Sequence, residues 1–118
     1  MILVDTSVWV EHLRSGTIGL GALLNDGQVM CHPFIIGELA CGYFKKRTEI
    51  LTLLQELPVA TCADDEELIT FIEDYALMGK GLGYIDIHLL MSAMLTKVPL
   101  WTIDRRLHEI SFQLRLTH

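Results

Sequence analysis

The chain is short of cations. Its 118 residues hold nine Lys and Arg against fifteen Asp and Glu, a net charge of −6. That balance excludes a protein that coats nucleic acid with a broad basic surface. It does not exclude an enzyme that works on nucleic acid from one acidic cleft. Cysteine is scarce as well. Cys31, Cys41 and Cys62 are odd in number and show no Cys-x-x-Cys spacing. A disulfide framework or a zinc site is therefore not expected, and reduced thiols in a cytoplasmic protein are. The five His include no H-x₃-H pair. Long hydrophobic runs are missing too. Hydrophobic residues make up 51% of the chain and mean hydropathy is +0.39, yet no apolar stretch approaches the roughly 20 residues that cross a bilayer. Met1-Ile2-Leu3-Val4 stops at Asp5 without a basic flank, so no secretory leader is expected. There is no repeat, linker or low-complexity tract. One domain of this length can bury a real core. The high apolarity points to extra burial, in an oligomer or against a partner chain.

What the chain does have is four acids in costly places. Asp5 ends Met1-Ile2-Leu3-Val4, and Glu38 interrupts Phe34-Ile35-Ile36-Gly37-Glu38-Leu39-Ala40. Asp86 lies between Ile85 and Ile87, and Asp104 ends Leu100-Trp101-Thr102-Ile103. Acids are rarely buried without a partner, and an uncompensated carboxylate neutralises instead. No Lys or Arg occurs within these runs; only Asp104 has basic neighbours, Arg105 and Arg106. A divalent cation is the simplest common partner, since hard cations such as Mg²⁺ take oxygen ligands.

Strand and helix patterns alternate. Strands are expected at Met1–Val4, Gln28–Cys31, Val59–Cys62 and Leu100–Ile103, with a last edge strand at Gln113–Leu116. Thr6 or Ser7 can cap a helix to about Arg14, and Gly16 breaks it. A short helix carries Leu20, Leu23 and Leu24. Pro33 opens a helix to about Lys46, and Thr48 caps the next, which turns Ile50, Leu51, Leu53 and Leu54 inward. Asp64 and Glu67 suit a capping box for a helix that buries Leu68, Ile69, Phe71, Ile72 and Tyr75. A glycine loop follows, then helices from Tyr84 to about Lys97 and from Asp104 to Ser111. This order argues an α/β fold with a mostly parallel sheet and helices on both faces. Ligands bind at the carboxyl ends of such strands. Asp5 and Asp104, each one residue past an expected strand, would converge there if their strands are neighbours.

Four segments carry a resemblance. Val4-Asp5-Thr6-Ser7, Gly37-Glu38-Leu39, Gly83-Tyr84-Ile85-Asp86-Ile87-His88-Leu89-Leu90 and Leu100-Trp101-Thr102-Ile103-Asp104-Arg105-Arg106-Leu107 follow one another over essentially the whole chain. Together they resemble the PIN-domain ribonucleases of the VapC toxin type. The resemblance implies a single PIN-like domain over 1–118. Its fold would be a three-layer sandwich with a mostly parallel sheet of about five strands. It implies a Mg²⁺- or Mn²⁺-dependent endoribonuclease acting on structured RNA, tRNA or rRNA. Asp5, Glu38, Asp86 and Asp104 would form the acidic pocket, supported by Ser7 or Thr6. A homodimer, and a cognate antitoxin whose tail enters the acidic groove, belong to the same picture. One departure is visible. Many relatives carry a further acid shortly after the position of Asp104, where this chain has Arg105, Arg106 and Leu107; that bears on a second metal, not the first.

Mg²⁺ takes one or two direct carboxylates and keeps several waters. Asp5 and Asp104 are the expected inner ligands, Asp86 the next, and Glu38 the base that orients water. Hydrolysis by water does not need the ribose 2′-hydroxyl, so 5′-phosphate and 3′-hydroxyl ends are expected. Plainer roles exist for each residue alone. Asp5, Asp86 and Asp104 can serve as helix caps, and Glu38 can snorkel. The coincidence of four tips the balance. Arg105, Arg106 and Lys80 can meet RNA phosphate or simply face water. Lys45-Lys46-Arg47 suits a helix C-terminus. His88 reads as packed, Trp9 and Trp101 as core, and Met91, Met94 and Leu95 as core or dimer interface. Two rivals remain. A phospho-acceptor receiver domain would need a paired acid beside Asp5, an Asp just after the third strand and a Lys after the last core strand, and none is present. An inactive PIN-like binding module has no feature in its favour.

Overall fold

The computed structural model describes residues 1–118. Three strands, β1 (Ile2–Val4), β2 (Val29–Met30) and β3 (Leu100–Trp101), form one parallel sheet in the order β2-β1-β3. Ile2 pairs with Val29, Leu3 with Met30 on one side and Leu100 on the other, and Val4 with Trp101. All of β1 is buried. Successive strand residues face opposite sides, so both faces of the central strand are covered, as a parallel sheet requires.

The sheet has three strands, not the expected five or so. The segments at Val59 and Thr117 touch it only as single parallel bridges, to Cys31 and Leu100. The reasons are local. Pro58 has no N–H for a ladder, and the N–H of Thr61 goes to Thr96 Oγ1 at 2.9 Å, off the sheet. At the other edge, helix takes the chain as far as Gln113, and Arg115 has φ 60°. Only Leu116 and Thr117 are left to run beside β3.

Seven helices surround the sheet: α1 (Thr6–Ser15), α2 (Leu20–Asn25), α3 (Pro33–Ala40), α4 (Arg47–Glu56), α5 (Asp65–Asp74), α6 (Tyr84–Thr96) and α7 (Arg105–Gln113). Helix α1 packs on α2 and α3, α3 on α4, α5 on α6, and α6 against β3. Gly16 ends α1 at φ 69°, where a side chain would be strained. Asp64 and Glu67 do form the capping box, at 2.7 Å and 3.1 Å. Leu3, Val4, Leu89, Leu90, Leu100 and Leu107 are buried at the centre.

Several expected boundaries move. The cap of α1 is Asp5, not Thr6 or Ser7. Helix α3 stops at Ala40, six residues before Lys46, because the Arg47 guanidinium satisfies the carbonyls of Ala40 and Gly42 that a continued helix would have bonded. Helix α4 starts at Arg47 without a side-chain cap. Leu53, Ile69 and Tyr75 are exposed rather than inward, whereas Leu54, Leu68 and Phe71 are buried. The three cysteines are free.

Candidate active site

The β1–β3 pairing brings two sequence-distant segments to one edge. Asp5 follows β1 directly. It is buried, with 6% of its surface exposed. Its Oδ2 accepts from Ser7 Oγ at 2.6 Å, Ser7 N at 3.3 Å and Thr102 Oγ1 at 2.8 Å. Each hydroxyl gives its one hydrogen to Asp5 and accepts a backbone N–H in return. Ser7 Oγ accepts from Ile103 N at 3.1 Å, and Thr102 Oγ1 accepts from Asp104 N at 3.0 Å. All three donors crowd onto Oδ2, which leaves Oδ1 free.

The other carboxylates are divided in the same way. Asp86 Oδ2 accepts from Gly83 N at 3.0 Å in the first turn of α6. Asp104 Oδ1 caps α7 through Leu107 N at 2.9 Å. Capping and ligation are therefore compatible roles: each Asp uses one oxygen to secure a helix start and keeps another available. The positive ends of α1, α6 and α7 also favour the negative charges placed there. Glu38 reaches in from α3, an exposed residue whose Oε1 accepts from Thr6 Oγ1 at 2.7 Å. Ser7 and Thr6 thus have different targets, Asp5 and Glu38.

Burial pushes the Asp86 carboxyl above its ordinary range; the Gly83 N–H pulls it back, and the charges of Asp5, Asp104 and Glu38 raise it further. All four acids share one electrostatic neighbourhood. None has a cationic partner, because the ion pairs of the molecule are Arg14–Glu11, Arg105–Glu109 and Arg106–Glu109. Arg105 and Arg106 turn to Glu109 on their own helix rather than to Asp104. Arg106 also lies against Gly81, next to the exposed Lys80.

No three Asp, Glu, His or Cys side chains form a ready cage for a metal. Free oxygens on Asp5 and Asp104, with acids nearby and no competing cation, fit a hard ion that keeps most of its own waters.

A family model for the PIN domain matches residues 2–113. The chain belongs to the PIN-domain family, in its VapC branch. "Ribonuclease VapC32" from two strains of Mycobacterium tuberculosis, CDC 1551 / Oshkosh and ATCC 25618 / H37Rv, is in each case 44% identical over 108 residues, covering 91% of this chain and 87% of the relative. The four segments that carry the resemblance all lie within the matched region.

Asp104 stands three residues past β3, not one. The residue sequence reading missed is Thr102, which lies in the intervening stretch and links Asp5 to Asp104. Its signal was faint: a hydroxyl inside an apolar run, two residues before an acid. His88 is buried and packs edge-on against Phe34 and Tyr84, with ring centroids 4.8 Å and 4.6 Å away. No helix is long and apolar enough to cross a membrane.

Proposed function

We propose that this PIN-domain protein is a Mg²⁺- or Mn²⁺-dependent endoribonuclease that cleaves structured RNA, tRNA or rRNA, as the toxin of a toxin–antitoxin pair. The observation that carries the reading is the group of four unpaired carboxylates around Asp5, in a chain 44% identical to a protein named a ribonuclease. Asp5, Asp104 and Asp86 would hold the ion. When bound, it supplies positive charge to the phosphate and acidity to water.

The chain's own residues do the rest. Ser7 and Thr102 hold Asp5 through Oδ2 and leave Oδ1 without a protein donor. Thr6 holds Glu38 in place to orient water and take its proton at the carboxylate. Asp86, whose carboxyl titrates high, gains most from a neighbouring cation. Hydrolysis by water leaves 5′-phosphate and 3′-hydroxyl ends.

The same reading brings a cytoplasmic setting, a homodimer, and a cognate antitoxin whose tail enters the acidic groove. The test is cleavage of total cellular RNA by the purified, antitoxin-free protein, in EDTA, Mg²⁺ and Mn²⁺, beside Asp5→Asn. Discrete fragments that need metal and vanish in the variant are expected. A folded protein that cleaves nothing with either metal would sink the nuclease reading.

A further inference from the structure

An acidic site repels the polyanion it is meant to cut, so cations must hold the strand from elsewhere. Most cations here are paired or lie away from the acids. Arg14 pairs with Glu11, Arg105 and Arg106 share Glu109, and Arg47 bonds the end of α3. Lys97 lies at the far end of α6 from Asp86, and Arg115 at the far end of α7 from Asp104. Lys45, Lys46 and Lys80 remain, and the first two lie side by side in the α3–α4 loop, exposed and without an ion pair.

That loop also carries aromatics. Tyr43 is 97% exposed, the largest value among the big apolar side chains. It is followed by the half-buried Phe44. A cavity of about 370 Å³ starts at Thr6 and Glu38 and runs along Leu39 to Tyr43 and Phe44. A second hollow, of about 570 Å³, shares the Tyr43–Phe44 wall and continues past Lys45 and Lys46. Glu38, the Tyr43–Phe44 pair and two lysines without ion pairs thus line two adjoining hollows. Aromatic faces in solvent beside unpaired cations suit a single-stranded nucleic acid, whose bases stack while its phosphates meet charge.

We propose that Tyr43 and Phe44 stack an unpaired nucleobase next to the scissile phosphate, and that Lys45 and Lys46 hold the phosphates of the strand beyond it. This rests on the ribonuclease reading for its substrate, yet it can fail separately. Binding is measured in the Asp5→Asn background, where the probe stays intact, by fluorescence anisotropy of a short, labelled, mixed-sequence RNA single strand. Tyr43→Ala is expected to weaken binding roughly 5- to 100-fold. Because Tyr43 is almost fully exposed, its loss should not change folding, and thermal melting checks this. Tyr43→Phe should restore binding. Lys45→Gln with Lys46→Gln should flatten the dependence of log affinity on log salt by about 0.7 per lysine, whereas Lys97→Gln should not. If the Tyr43 and lysine variants bind this RNA as the background protein does, or if the background protein binds none, the proposal is overturned. A protein partner on this surface would give the first of those results. Cleavage by the chain with Asp5 intact is scored independently. Loss of cleavage alone sinks the nuclease reading while the stacking surface stands, and unchanged binding alone does the reverse.

Discussion

Thr102 Oγ1 stands 2.8 Å from Asp5 Oδ2 and takes the N–H of Asp104 at 3.0 Å. One hydroxyl at the end of β3 therefore sets the rotamer of the acid after β1 and the backbone of the acid that caps α7. Both bonds depend on the parallel pairing that puts Val4 opposite Trp101.

Thr102→Val keeps the shape and removes the hydroxyl. A buried carboxylate oxygen loses a donor and the Asp104 N–H loses its acceptor, which should cost about 1–3 kcal/mol of stability. Cleavage should fall about 10- to 100-fold, and Thr102→Ser should recover most of both. Urea unfolding beside a fragment-release assay reads the two effects; unchanged activity in the valine variant would remove Thr102 from the site.

Divalent cation should raise the melting temperature of the protein, and EDTA should reverse it. An ion that binds only the folded chain adds about 2.7 kcal/mol at a hundred times its dissociation constant. Asp5→Asn should abolish that rise along with cleavage, while its metal-free fold persists, because the amide oxygen can still accept from Ser7 and Thr102. A metal-induced shift of full size in Asp5→Asn would mean that Asp5 is not a ligand.

Thr6→Val leaves Glu38 Oε1 without its donor on an exposed surface. Stability should change by no more than about 0.5 kcal/mol. Single-turnover cleavage should slow while RNA affinity holds, since Glu38 acts on water rather than on the strand. An equal loss of affinity would recast Glu38 as a binding residue.

Burial, and then the charge of His88, hold His32 down to about 4. Its Nδ1 accepts from Phe34 N at 3.0 Å and so caps α3, the helix that carries Glu38. In the unfolded chain His protonates near ~6.5. The folded value is the lower one, so the stabilisation is complete above about pH 6.5 and is lost as pH falls toward 4. Asp86, raised in the fold, gives a slope of opposite sign. His32→Asn keeps a capping oxygen and does not titrate. The parent should lose up to a few kcal/mol more than this variant between those pH values, with the Asp86 slope cancelling in the difference. Parallel pH curves in urea would refute it.

Much of the fold was open to reading because local chemistry wrote it. The capping box at Asp64 and Glu67, the break at Gly16 and the start of α3 at Pro33 depend on near neighbours, and all three hold. Strand number was not open in this way. Whether Val59 or Thr117 extends a ladder depends on where other segments take its hydrogen bonds. Thr96, 35 residues from Thr61, claims one of them.

The sequence by itself determined which residues to consider for a common site: Asp5, Glu38, Asp86 and Asp104 stand out because carboxylates in apolar runs need a reason. Only the tertiary structure decided how they share it. The order β2-β1-β3 brings Thr102 to Asp5, the starts of α1, α6 and α7 each take one carboxylate oxygen, and the α3–α4 loop brings Tyr43 to the hollow that Glu38 lines. Those relations run between residues far apart in the chain, so no local preference encodes them; they follow from the packing of the sheet and its helices.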